Sequence, residues 1–156
     1  MLYLIRHAHA VDDEDDAVRE LSAEGRAQAR RLAAFLRDSG EMRPAEFWHS
    51  PLVRASQTAS LLAESLGLRV PLRKVDGLKS EDDPRVITPR LQSPLSLALV
   101  GHEPHLSALA SLLVTGAAFP PVFFMGKCAI LALERTKGGN TGCWAVRWYV
   151  APELLV

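Results

Sequence analysis

The chain has 156 residues, enough to bury one core without disulfide support and few for two ordinary domains, so a single domain over residues 1–156 is expected. With 48% hydrophobic and 23% charged residues it has the composition of a soluble globular protein, and no apolar run nears the ~18 residues of a membrane span. Eighteen basic residues balance eighteen acidic ones, which leaves no overall field to attract nucleic acid or an anionic membrane.

The first strand reads Leu2-Tyr3-Leu4-Ile5 and runs directly into Arg6-His7. Because it starts right after Met1, there is no room for a secretory leader, and the cytoplasm is the expected compartment. The acidic run Asp12-Asp13-Glu14-Asp15-Asp16 reads as a solvated loop that could also shape substrate choice. From Ala23 to Ser39, Ala29, Leu32, Ala33 and Leu36 recur at helical spacing. Ser22 suits the N-cap of that helix, Glu24 its first turn and Gly40 its C′ position.

Glu46-Phe47-Trp48-His49 predicts a second strand, and a second helix is predicted from Pro51 to Leu66. Ser50 is its expected N-cap, Pro51 its N1 residue, Ala55, Ala59, Leu62 and Leu66 its buried stripe, and Gly67 its stop. Leu68 to Val75 predicts a further strand. Ser80 to Pro94, with three prolines and five charges, predicts a loop containing a short helix.

Leu97-Ala98-Leu99-Val100 is the next strand, and Gly101-His102 follows it. A third helix then carries Leu106, Leu109, Ala110 and Leu113 on its core face, with Pro104 near its start and Gly116 as terminator. Ala129 to Leu133 and Trp144 to Tyr149 predict a closing hairpin across the turn-rich segment from Lys137 to Gly142. Cys128 and Cys143 are expected to be free, buried thiols. Strands alternating with helices imply an α/β fold: a single three-layer domain, a mostly parallel central sheet flanked by helices, and a C-terminal β-hairpin.

Ligands of such sheets bind beyond the carboxyl ends of the strands, so His7 and His102 are expected in one crevice with Arg6 and Arg54. Taken singly, a histidine after a strand is an ordinary loop residue, and an arginine in a helix's first turn is an ordinary surface one. Their joint placement at three strand-to-helix turns points to a site. Two guanidinium groups with two imidazoles suit a tetrahedral dianion, because each guanidinium offers paired donors that match phosphate oxygens. A neutral imidazole can also attack phosphorus and carry the phosphoryl group covalently. Neighbouring Arg6 would repel a cation, and no carboxylate or cysteine completes a ligand shell, so neither a metal nor a cofactor is expected.

Leu4-Ile5-Arg6-His7-Ala8 resembles the signature of the histidine phosphatase superfamily, Arg-His-Gly or Arg-His-Ala after the first strand. Arg19-Glu20-Leu21-Ser22-Ala23-Glu24-Gly25 is similar to the family's helix-entry motif. Ser50-Pro51-Leu52-Val53-Arg54-Ala55-Ser56-Gln57-Thr58 resembles its second-arginine motif, and Gly101-His102-Glu103-Pro104-His105-Leu106 its second-histidine motif. Trp148-Tyr149-Val150-Ala151-Pro152-Glu153-Leu154 looks like the closing segment of the short SixA-type phosphohistidine phosphatases.

The resemblance implies that His7 is a transiently phosphorylated nucleophile, that Arg6, Arg54 and His102 hold the phosphoryl oxygens, and that Arg19 borders the pocket. Larger relatives place an acidic general acid after the third strand. Here Glu81, Asp82 and Asp83 fall in that region without a motif. The imidazole leaving group of a phosphoramidate is readily protonated, so it needs less help than an alkyl phosphate. The expected activity is therefore that of a metal-independent phosphatase acting on phosphohistidine in phosphorelay or phosphotransfer proteins. The alternatives are a small-molecule phosphomonoesterase and a non-catalytic phosphoprotein-binding module. The two guanidinium groups should push the His7 pKa below its ~6.5 reference value. His9 and His105 flank the motif histidines and are expected at exposed structural or rim positions.

Overall fold

Along β1 (Leu2–Arg6), Tyr3 and Ile5 join one buried cluster and Leu2 and Leu4 another, so both faces of the strand are covered. β4 (Leu97–Gly101) divides in the same way, with Ala98 and Val100 on the first side and Leu97 and Leu99 on the second. The first face packs against α1 (Ala23–Ser39) and α2 (Val53–Ser65), through Leu32 and Leu36 and through Ala59 and Leu62. The second packs against α3 (Pro84–Ile87) and α4 (His105–Thr115), through Ile87 and through Leu106, Leu109 and Leu113. These assignments come from a computed structural model, which describes residues 1–136 and 138–155.

The sheet runs in the order β3 (Leu72–Lys74), β2 (Glu46–His49), β4, β1, β5 (Ile130–Arg135) and β6 (Trp144–Val150). The first four strands are parallel; β5 is antiparallel to β1, and β6 to β5. This is the expected three-layer α/β architecture with a closing hairpin. Lys137, the first residue of the expected turn, lies outside the described residues.

Most helix ends follow the predicted caps. The Ser22 hydroxyl accepts the Gly25 N–H at 3.0 Å, and Gly40 and Gly116 end α1 and α4 in the left-handed conformation. Only glycine fits at position 25, since a Cβ there would lie 2.0 Å from the His9 carbonyl oxygen. The first turn of α1 thus sits directly on the backbone that leaves β1. Cys128 and Cys143 are free and buried.

Two expectations need correction. Helix α2 begins at Val53 rather than Pro51, with Leu52 at the N-cap and no side-chain cap. The Ser50 N–H bonds the Val100 carbonyl at 3.1 Å, which keeps Ser50 in the sheet ladder and delays the helix. The strand expected over Leu68 to Val75 shrinks to Leu72–Lys74, an exposed edge strand. Leu68 and Val70 pack instead against the cluster under α1 and α2, and the Leu68 N–H closes the end of α2 on the Ala63 carbonyl at 2.9 Å. Among the described residues no helix is long and apolar enough to cross a membrane.

Candidate active site

Three adjacent parallel strands end at one edge: Arg6 of β1 pairs with Gly101 of β4, and Val100 of β4 pairs with His49 of β2. The residues that follow them, His7, His102 and Ser50, are therefore neighbours. The His7 and His102 rings lie 5.0 Å apart, centroid to centroid, tilted by 46°. The expected convergence of the two histidines is observed.

His7 is buried, and its Nδ1 lies 2.7 Å from the Ala8 carbonyl oxygen. A carbonyl only accepts, so Nδ1 carries the proton and Nε2 holds the lone pair. Helix α2 clamps this segment, because Thr58 Oγ1 accepts the Ala8 N–H at 3.0 Å while donating to the Arg54 carbonyl at 2.7 Å. The His7 pKa is lowered to about 2, first by burial and next by the Lys127 charge. The direction agrees with expectation; the main cause differs, with Arg54 contributing least among the causes.

On the neighbouring strand, His102 Nε2 is 2.6 Å from Ser50 Oγ. That hydroxyl also accepts the Leu52 N–H at 3.3 Å, and when it donates its own proton to Nε2 the His102 proton sits on Nδ1. Nδ1 is buried and has no partner within the protein. Burial, followed by Arg54, lowers the His102 pKa to about 4.

The guanidinium groups are anchored by part of their donor sets. Arg6 Nη1 donates to the Met125 carbonyl at 2.8 Å. Arg54, only 7% exposed, donates from Nη1 to the Asp16 carbonyl at 2.7 Å and from Nη2 to Asp16 Oδ2 at 3.1 Å. Arg19 donates from Nη1 to Asp16 Oδ1 at 3.1 Å and from Nε to the Val11 carbonyl at 3.0 Å. Asp16, the last residue of the acidic run, thus ties Arg19 to Arg54, and hydrogen bonds from both hold its carboxyl below the usual carboxylate range. The rest of the run, Asp12 to Asp15, is exposed as expected of a solvated loop. Arg6 Nε, Arg54 Nε and His102 Nδ1 are buried without a protein partner, as are Trp148 Nε1 and both His105 ring nitrogens.

Sequence reasoning missed Lys127, whose Nζ lies 3.5 Å from His7 Nε2. β5 is antiparallel to β1, so the chain enters β5 at the edge where β1 leaves, and Lys127, three residues before β5, reaches the crevice. No motif surrounds Lys127; the antiparallel pairing is the only signal that could have found it.

His9 lies exposed, with Nδ1 2.7 Å from Ser22 Oγ, as expected. His105 does not: it is 2% exposed, because α4 is buried along every residue from His105 to Leu113. Among the acidic candidates, Asp83 caps α3 and pairs with Arg85 at 2.7 Å, and Asp82 accepts the Lys79 N–H at 2.8 Å. The Glu81 carboxyl is drawn below its ordinary range by its own backbone N–H and by Ser80, the wrong direction for an acid that must hold a proton. The Glu103 carboxyl, half-buried near Arg6, is instead raised by burial. Among the described residues no group of three or more His, Cys, Asp or Glu side chains could hold a metal ion.

The histidine phosphatase superfamily (branch 1) model matches residues 2–81, just over half of the chain. The chain belongs to the histidine phosphatase superfamily. Members of this superfamily are phosphatases. In fold, this histidine phosphatase is similar to the protein histidine phosphatase SixA complexed with tungstate, at a TM-score of 0.87 and 23% identity over 99% of both chains. A structure from Agrobacterium tumefaciens follows at 0.77 and 23% identity, over 97% of both chains. A mycobacterial glucosyl-3-phosphoglycerate phosphatase matches at 0.67 and 19% identity, covering 94% of this chain and 96% of that one. No curated protein sequence matches.

Two predictions arise from the histidines of this superfamily member. Removing the Ser50 hydroxyl leaves His102 Nε2 without its partner and frees the ring to change tautomer. Ser50→Ala should lower kcat/KM about tenfold, the equivalent of ~1.4 kcal/mol for one unmatched buried polar group. Steady-state kinetics at pH 7 test this, and a loss under twofold counts against the role of Ser50. The second prediction concerns acid. His7 and His102 have folded pKa values below their unfolded ones, so the unfolded chain binds more protons below pH ~6.5. Stability should therefore fall as pH drops from about 6.5 toward 4, by up to about 1.4 kcal/mol per pH unit for each histidine. Activity of the folded enzyme should persist over the upper part of that range, because His7 stays neutral. Denaturant unfolding and kcat/KM measured at pH 7, 6 and 5 should diverge in this way.

Proposed function

We propose that this chain hydrolyses phosphohistidine on proteins through a covalent phospho-His7 intermediate, without a metal ion. The observation that carries the reading is the set of buried, unmatched donors, Arg6 Nε, Arg54 Nε and His102 Nδ1, gathered with the His7 Nε2 lone pair at one sheet edge. In this reading His7 Nε2 bonds to phosphorus while the substrate N–P bond breaks, its electron pair leaving with the substrate imidazole. Water then attacks phosphorus, the Nε2–P bond breaks, and phosphate and neutral His7 are released. Arg6, Arg54 and His102 hold the phosphoryl oxygens. Charge spread over those oxygens in the transition state makes fixed donors more effective than solvent. Arg19 lies at the pocket border and orients Arg54 through Asp16.

Two further points support phosphohistidine. An imidazole leaving group needs little acid assistance, and Glu81 and Asp83 are held toward the ionised form. Tungstate, bound by the SixA of similar fold, is a tetrahedral oxyanion like phosphate. One observation favours a second reading. Glu103, raised by burial, is a carboxyl suited to protonate an alkoxide, which would extend the site to small phosphomonoesters.

The test is kcat/KM for phosphate release from a phosphohistidine carrier protein, beside an aryl phosphate and a panel of sugar phosphates. A preference of at least 100-fold for the carrier protein supports the first reading. Comparable turnover of one sugar phosphate, lost in Glu103→Gln, supports the second. No turnover of any of them would leave a phosphoprotein-binding module.

A further inference from the structure

Four cations converge around the nucleophile. Arg6, at the end of β1, Arg54, on α2, Arg19, in the segment before α1, and Lys127, before β5, all act on one another or on the two histidines. Asp16 answers Arg19 and Arg54, Asp12 lies 3.8 Å from Arg19, Glu103 faces Arg6 and Glu81 acts on His102. Among the described residues Lys127 forms no salt bridge. A half-buried ammonium placed among three guanidinium groups is unfavourable for the empty protein and favourable once an anion enters. Its nearest polar contact is the atom that would attack phosphorus, His7 Nε2, at 3.5 Å.

We propose that Lys127 is a further catalytic residue, whose ammonium binds a phosphoryl oxygen as His7 Nε2 bonds to phosphorus. The assignment rests on the reading of His7 as nucleophile. In the free protein the ammonium points an N–H at the Nε2 lone pair, so the lone pair is covered. An incoming phosphoryl group takes over that N–H through one of its oxygens and exposes the lone pair to phosphorus. The ammonium keeps all its protons: the Nε2–P bond forms, the bond from phosphorus to the leaving group breaks, and the electron pair departs with the leaving group. Arg6 and Arg54 are anchored by Met125 and Asp16, whereas Lys127 is free to follow the phosphoryl group on its flexible stem.

This residue also sets an upper limit in pH. Burial, with Arg6, Arg19 and Arg54, lowers the Lys127 pKa to about 8. The other titratable or charged groups facing it are His7 and His102, both neutral at that pH, and the arginines, which do not titrate there. A neutral amine no longer supplies the charge that phosphoryl oxygens need, so activity should decline above pH about 8. An arginine at the same position would keep its charge.

The experiment compares the wild-type chain, Lys127→Met, Lys127→Arg and His7→Ala, following phosphate release from phenyl phosphate between pH 5 and pH 10. Lys127→Met should lose about 100-fold in kcat/KM at pH 7, the usual effect of removing one preorganised donor. Inhibition by inorganic phosphate should weaken in the same variant. Lys127→Arg should recover part of the activity and move the alkaline decline up by more than one pH unit. The assignment is overturned if Lys127→Met stays within threefold of wild type, or if Lys127→Arg keeps the decline near pH 8. His7→Ala separates the two claims. Turnover that persists there overturns the reading of His7, whereas turnover that vanishes there and survives in Lys127→Met overturns the role of Lys127 alone.

Discussion

His7→Ala is expected to lower kcat/KM by on the order of 10⁴ to 10⁶-fold, the scale seen when a covalent nucleophile is deleted. The neighbouring imidazole is not placed to take over, because the Nε2 of His102 is engaged by Ser50 at 2.6 Å. The variant should remain folded. It loses the bond to the Ala8 carbonyl and leaves a small gap, but it also removes an imidazole that folding forces out of water. A change in unfolding free energy within about 2 kcal/mol is expected from such opposed contributions. Stopped assays with purified protein, beside thermal unfolding, separate lost chemistry from lost structure. A residual rate above one hundredth of wild type would mean that another group attacks phosphorus.

The second large effect is expected from Arg54→Met, at about 100 to 1000-fold in kcat/KM. Arg54 is buried and holds the Asp16 loop with two bonds, while its Nε remains unmatched within the protein. Its removal therefore strips a donor from the phosphoryl group and also loosens the carboxylate that orients Arg19. The cost in stability should be small by comparison. Breaking a fully buried ion pair costs ~3–5 kcal/mol, but the Asp16 side chain is 64% exposed and can return to water. A loss of about 1 kcal/mol is expected, the range for exposed pairs. Arg54→Lys should recover only part of the activity, because a single ammonium cannot bond both Asp16 oxygens and still face the phosphoryl group. Vanadate inhibition provides a check independent of turnover, and unchanged inhibition in Arg54→Met would contradict a role in holding oxygens.

Much of this architecture was legible because each buried strand carries its own signal. Leu2 to Ile5 and Leu97 to Val100 are continuous apolar runs, which two covered faces require, and a parallel sheet then brings the residues after them to one edge. The caps of α1 and α4 were legible for a local reason, since Ser22, Gly40 and Gly116 act on their own backbone. Ser50 was misread because its hydroxyl serves His102, 52 positions away in sequence, and no local pattern reports such a partner. The same holds for Asp16, which looks like one more charge in an acidic loop until Arg54 and Arg19 close on it. His105 was placed at the surface because a helix start is ordinarily wet; here the neighbouring layer covers the whole first turn of α4. Lys127 lay beyond reach for a topological reason, since only an antiparallel β5 delivers the segment that leads into it to the exit of β1.

The most direct test of the central claim is to mix excess enzyme with a phosphohistidine carrier protein, quench in alkali during a single turnover, and map the phosphoryl group by mass spectrometry. The account predicts a phosphoryl group on the peptide containing His7, labile to acid, appearing as the carrier loses its own and decaying as inorganic phosphate is released. Full release of phosphate with no phosphoryl group on His7 at any time, or its capture on another side chain, would contradict it.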